Sequence, residues 1–259
     1  MGRVAALLGL GPRRLVSGAC LFAALLVYYE VAPDLWDATV WWDVAWLGFV
    51  LIPAVFALVL IALPLRLAPG LFGAGIAFAV LAAVLTIADA DVFANFSRLA
   101  ACTLLGWWFL QYFESLSWVV LVAAIIPWVD AYSVWRGPTK EIVEHHGNVF
   151  NVLSFAFPVP GERAAANLGV PDLLFFALFL AASARFGLRV YATWLCLVAS
   201  LGLTIAGTVW FDLSGLPALP GIALGFLLPN ADLLWRRLRR EPGLGDRSDV
   251  AVGGPADDR

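Results

Sequence analysis

Leu168-Gly169-Val170-Pro171-Asp172-Leu173-Leu174 sets a carboxylate at the mouth of an apolar run that continues over 173–184. An acid at the edge of a membrane span carries a solvation cost, and such residues mark functional sites. A second acid, Asp130, closes another apolar run, 118–129. A third stretch, Leu216-Pro217-Ala218-Leu219-Pro220, opens the last apolar run of the chain. The expectation is that these three places form one site.

Composition decides what kind of chain surrounds them. Of 259 residues, 62% are hydrophobic and 14% charged, against about 45–50% and about 25% in soluble domains. The mean hydropathy is +0.89. These values predict an all-α polytopic membrane protein. The net charge of −3 comes with no basic patch that would suit nucleic acid. No nucleotide loop or cofactor signature is present in the sequence, so no cofactor is expected. Cys20, Cys102 and Cys196 lie inside apolar segments and are odd in number, which speaks against a disulfide framework. Lys140 is the only lysine.

Spanning a bilayer takes about 20 mostly apolar residues. Eight segments meet or approach this: 15–31, 44–65, 70–88, 96–113, 116–135, 171–184, 191–211 and 216–234. The first reads as a retained signal anchor. The fourth is the weakest, with Arg98 near its start. Arg3, Arg13, Arg14, Arg66, Arg185, Arg189, Arg236, Arg237, Arg239 and Arg240 all fall on one side of an eight-span arrangement, and acidic loops fall on the other. The positive-inside rule then puts both termini in the cytoplasm. Tryptophans near span ends (Trp41, Trp42, Trp107, Trp108, Trp118, Trp128, Trp135 and Trp235) read as interfacial anchors. The organisation expected is four N-terminal helices in 1–114, a catalytic-type set in 115–235 with an extramembrane loop at 136–168, and a polar, disordered cytoplasmic tail at 236–259.

This topology brings Asp130, Asp172 and Pro217-Ala218-Leu219 to one depth near the outer face. Adjacent carboxylates do not both ionise cheaply, so one keeps a proton. The ionised acid can take a proton from water while the neutral one polarises a peptide carbonyl, the aspartic-protease arrangement. The pair titrates as a unit, so neither role is assigned to either residue.

These residues resemble the presenilin and signal peptide peptidase family of intramembrane aspartyl proteases, in a prokaryotic-looking form. Trp128-Val129-Asp130-Ala131-Tyr132 resembles the first aspartate motif. The stretch 137–144 resembles the short helix that follows it. Gly169-Val170-Pro171-Asp172 resembles the Gly-x-Gly-Asp motif, and Pro217-Ala218-Leu219 the Pro-Ala-Leu motif. The likeness covers roughly 118–234. It implies that Asp130 and Asp172 are catalytic, that Gly169, Pro171, Pro217, Ala218 and Leu219 shape the active site and hold substrate, and that transmembrane peptides or remnant signal peptides are the substrates. The family has nine spans. Loss of one at the N-terminus gives the orientation of signal peptide peptidase, with the active face away from the cytoplasm.

Two positions depart from the family pattern. Val129 stands where a tyrosine precedes the first aspartate, and Pro171 where a glycine precedes the second. Proline fixes its backbone angle but suits the first turn of a helix, so a helix starting at Pro171 keeps Asp172 in its first turn. Pro217 and Pro220 make regular helix unfavourable around Ala218-Leu219, and the small face from Gly221 to Gly225 is expected to pack closely, against the helix bearing Asp172. Asp232 is expected to pair with Arg236, and Asp43 to mark a span boundary. Glu141, Glu144, His145 and His146 lack zinc-protease spacing and read as an amphipathic surface helix, so no metal is expected. The stretch 149–159 reads as lying on the membrane or covering the site. Two alternatives stand beside a protease: a catalytically impaired relative that binds membrane helices, and a proton-coupled transporter. The sequence leaves the oligomeric state open.

Overall fold

The computed structural model describes residues 11–136, 154–162, 165–213 and 215–239. The stretch 137–153, with Glu141, Glu144, His145 and His146, and the tail beyond residue 239 lie outside these residues. So do residues 1–10.

Each of the eight apolar segments becomes helical. The elements are α1 (Pro12–Val31), α2 (Val40–Trp46) continuing through a π-helical turn (Leu47–Leu51) into α3 (Ile52–Ala62), α4 (Leu71–Ile87), α5 (Asp91–Phe109) and α6 (Leu116–Arg136). After a two-stranded sheet come α7 (Val170–Arg185), α8 (Val190–Trp210), α9 (Leu219–Leu227) and α10 (Ala231–Leu238). Among the described residues, four helical stretches are long and apolar enough to cross a membrane: Pro12–Asp34, Val40–Leu67, Leu116–Ser133 and Val190–Trp210. Leu71–Ile87 is apolar but shorter.

The centre of the bundle is α7. Phe176 through Ala182 are all 0% exposed, the expected fate of a helix that is apolar on every side. It packs against α5, α6, α8 and α9. Phe176 stacks on Phe56 of α3 at 3.9 Å between ring centroids, and Phe179 on Phe226 of α9 at 4.9 Å. Contact with α5 depends on Gly106, where a Cβ would lie 2.7 Å from the Leu174 carbonyl oxygen. The next residue, Trp107, is only 2% exposed. Trp107 is therefore a core residue and not the interfacial anchor expected from its place near a span end. Trp41, Trp42, Trp118, Trp128 and Trp235 are exposed.

A hairpin sits within the region expected to be a loop. Strand β1 (Ser154–Pro158) pairs antiparallel with β2 (Ala165–Gly169), with Ala156 opposite Asn167. The alternating Phe155 and Phe157 are 0% and 1% exposed, because successive strand residues face opposite ways. Two polar residues of α5, Asn95 and the Arg98 that makes it the weakest span by sequence, receive this strand. Asn95 both donates to the Ala156 carbonyl (2.8 Å) and accepts from its N–H (2.9 Å). Arg98 donates to the Ser154 carbonyl (3.1 Å) and to Thr86 Oγ1 (2.8 Å). Tyr29 of α1 also donates to Ala156, and Tyr28 to Pro158. The turn docks through the Gly161 N–H on the Ala32 carbonyl. Gly161 has φ +76°, and a Cβ there would lie 2.7 Å from the Asp37 backbone. The strand portion of 149–159 is thus buried against the bundle.

Two expected contacts are corrected. The small face of α9 meets α8, not the helix bearing Asp172. A Cβ on Gly225 would lie 3.0 Å from the Cys196 carbonyl, and one on Gly221 would lie 3.3 Å from the Ser200 Cβ. A bulkier flank of α9 takes the contact with α7 through Phe226. Asp232 pairs with Arg189, in a two-pronged contact of 2.7 and 2.9 Å, and not with Arg236. A chain turn between α7 and α8 places Arg189 beside the start of α10, where it also donates to the Pro229 carbonyl. Cys20, Cys102 and Cys196 are free thiols.

Gly106→Ala is expected to destabilise the protein by about 1–3 kcal/mol, the cost of overpacking a filled contact. Gly73→Ala, with open space at its Cβ, is expected to be neutral or slightly stabilising. Thermal unfolding of the two purified variants in detergent distinguishes them, and equal midpoints would contradict the account of α7 packing.

Candidate active site

The sequence places three polar interruptions in apolar runs, and the fold brings all three to one end of the bundle. Asp130 lies in the last two turns of α6, half-buried, while its neighbours Trp128 and Val129 are 78% and 56% exposed. The acid therefore faces the bundle and the apolar side chains face outward. Pro127 is inside this helix and removes one backbone donor a turn before Asp130. Tyr132 is 66% exposed. Two residues along a helix points it away from the Asp130 face, so it does not replace the tyrosine missing at Val129.

Asp172 is in the first turn of α7. The helix starts at Val170 with Gly169 as N-cap, and proline is accommodated in its first turn. Pro171 is thus compatible with the helix and does not distort its start. The Asp172 carboxylate reaches back and accepts a hydrogen bond from the Gly169 N–H, the reciprocal half of a capping box. Gly169 has ordinary extended angles, φ −63° and ψ 150°. Its lack of a side chain matters because a Cβ would stand 3.2 Å from Asp172 Oδ2.

The Pro-Ala-Leu stretch meets the first acid directly. The Leu219 N–H donates to Asp130 Oδ2 at 3.0 Å. Leu219 is the first residue of α9, and its N-cap, Ala218, has no side-chain acceptor. Helix starts leave N–H groups without intrahelical partners, and Asp130 satisfies one from another helix. The chain is irregular through Pro217, as the prolines require. Pro220, however, sits within the first turn of α9 instead of excluding helix there. Ala218 and Leu219 are 6% and 4% exposed.

Asp130 and Asp172 are close enough for their charges to interact, and α6, α7 and α9 pack together pairwise. The arrangement is two partly accessible carboxyl groups on separate helices, one fixed by a Gly169 amide and the other by a Leu219 amide. Carboxyl groups near enough to feel each other's charge do not both ionise cheaply.

One buried acid lies apart from these three places. Asp43, expected to mark a span boundary, is in the first turn of α2 but only 4% exposed. Its Oδ1 has no hydrogen-bond partner among the described residues. The neighbouring tryptophans gave it the look of an interfacial residue, and only packing against the other helices buries it. Among the described residues, no cluster of three or more metal-ligating side chains occurs.

Comparison with protein-family models gives no match, and comparison with curated proteins gives none either.

The Asp130 contact separates structure from chemistry. Asp130→Ala leaves the Leu219 N–H without its acceptor and is expected to cost about 1–2 kcal/mol, as loss of a helix cap does. Asp130→Asn keeps an oxygen acceptor and is expected to retain most of that stability. Denaturation of both variants in the same detergent measures the difference; an Asp130→Ala protein as stable as wild type would remove Asp130 from its capping role.

Proposed function

We propose that the chain is an intramembrane aspartyl protease in which Asp130 and Asp172 hydrolyse peptide bonds of transmembrane segments or remnant signal peptides. The observation that carries this reading is the meeting of three separate sequence features at one place: Asp130 bonded to the Leu219 amide, with Asp172 near enough for charge interaction. The resemblance to presenilins and signal peptide peptidases supports it, in motif order and in helix placement. On this reading the eight helical rods form a presenilin-like bundle of eight spans. The arginine-bearing ends and both termini face the cytoplasm, the acids face the opposite side, and the membrane is a prokaryotic cytoplasmic membrane.

The chemistry needs no cofactor. A water molecule between the carboxyl groups gives a proton to the ionised acid as its oxygen bonds to the scissile carbonyl carbon. The protonated acid hydrogen-bonds the carbonyl oxygen, which becomes a hydroxyl in the tetrahedral intermediate. Collapse of that intermediate breaks the C–N bond, with the departing nitrogen taking a proton, and the carboxyl groups return to one proton shared between them. A membrane helix offers few exposed peptide carbonyls, since its backbone groups are bonded internally. The substrate must therefore unwind locally before it reaches the acids.

A second reading has its own observation. Each carboxylate already accepts a backbone N–H at a helix start, and capping alone would justify both acids. The chain would then be a non-catalytic relative that binds membrane helices.

Cleavage of a panel of single-span substrates by the purified full-length chain decides between them. Asp130→Asn and Asp172→Asn should each lower product formation by at least about a hundredfold, the scale of lost acid–base catalysis, while the variants stay folded. Equal cleavage by wild type and either variant would sink the protease reading.

A further inference from the structure

The end of the bundle opposite the acids has a feature that proteolysis does not use. Arg14 near the start of α1, Arg66 in the turn after α3, and Tyr191 in the first turn of α8 line a cleft of about 340 Å³. Its floor is apolar and includes Leu60, Ile61 and Leu63. Tight contact between α1 and α3 forms one wall, where a Cβ on Gly18 would lie 3.3 Å from Ile61 Cγ2.

The charge of this cleft is unbalanced. Arg66 donates one hydrogen bond, from Nη1 to the Leu63 carbonyl at 3.1 Å, and its buried Nε has no partner among the described residues. Neither Arg14 nor Arg66 pairs with a carboxylate among the described residues. Both α1 and α8 start here, so their N–H ends add positive potential. Basic recesses between membrane helices at this depth suit anionic lipid headgroups, and the adjoining Leu67 is 79% exposed, beside the path an acyl chain would take.

We infer that the Arg14–Arg66–Tyr191 cleft is a binding site for an anionic phospholipid, with the phosphate between the two guanidinium groups and an acyl chain along Leu60, Ile61 and Leu63. The phosphodiester supplies acceptors that match the unpaired guanidinium donors, and the apolar floor distinguishes a lipid from free phosphate. The site lies at the other end of the bundle from Asp130 and Asp172, so its occupancy is independent of the protease reading.

The test is lipid retention by the full-length chain reconstituted in phosphatidylcholine nanodiscs with and without phosphatidylglycerol, read by native mass spectrometry after detergent extraction. Wild type should retain phosphatidylglycerol in preference to phosphatidylcholine. Arg14→Gln and Arg66→Gln should each reduce that retention about fivefold, the worth of one basic residue at an anionic surface. Arg236→Gln, outside the cleft, and Asp130→Asn should leave it unchanged. If Arg66→Gln fails to fold, Arg14→Gln decides, since Arg14 is exposed. Unchanged retention in Arg14→Gln, or an equal loss in Arg236→Gln, would overturn the assignment. So would protection of the lipid-free protein by inorganic phosphate that phosphatidylglycerol does not improve.

Discussion

Burial of the middle of α7, Phe176 through Ser183, is the constraint on which the remaining structure depends. A helical segment buried on every side must be met by neighbours all round, and every neighbour has to offer a surface that fits. Gly106 lets α5 come to backbone distance. Phe56 and Phe226 fill the wider gaps by stacking on Phe176 and Phe179. Interiors packed at this density permit little displacement, so the first turn of α7, with Asp172 in it, has its position set by the whole bundle.

Helix starts then do double service. Prolines at the beginnings of α7 and α9 remove donors that would otherwise lack partners, and the remaining N–H groups of Gly169 and Leu219 bind the two acids. The carboxylates are oriented by backbone amides, which cannot rotate away as side-chain donors can. The same hydrogen bonds that stabilise helix ends thus aim Asp130 and Asp172.

The two ends of the bundle differ in character for related reasons. At the end that holds the acids, Asn95 and Arg98 of α5 bond to the edge of β1, while Tyr28 and Tyr29 of α1 bond to carbonyls of the same strand. Polar groups there are spent on holding a hairpin that runs directly into α7. At the other end, Arg189 binds Asp232 and the Pro229 carbonyl, and Arg14 and Arg66 remain without acidic partners among the described residues. Charge at one end is absorbed by protein contacts. At the other, Arg14 and Arg66 have no acidic partner among the described residues.

Hydropathy alone marked the eight helical segments, because a long apolar run satisfies its backbone hydrogen bonds within itself as helix. It also marked Asp130, Asp172 and Pro217-Ala218-Leu219, since polar residues and prolines are conspicuous against such a background. The hairpin is not legible in the sequence: Arg98 reads as a weakness of a span, Asn95 carries no signal of its own, and their partner strand lies about 60 residues away in sequence. Nor did local pattern show that Trp107 and Asp43 are buried, that Gly221 and Gly225 meet α8, or that Asp232 belongs with Arg189. Hydrophobicity and turn chemistry act over a few residues and are written in the sequence. Which faces meet is decided by the mutual fit of distant helices, and only the tertiary structure holds that information.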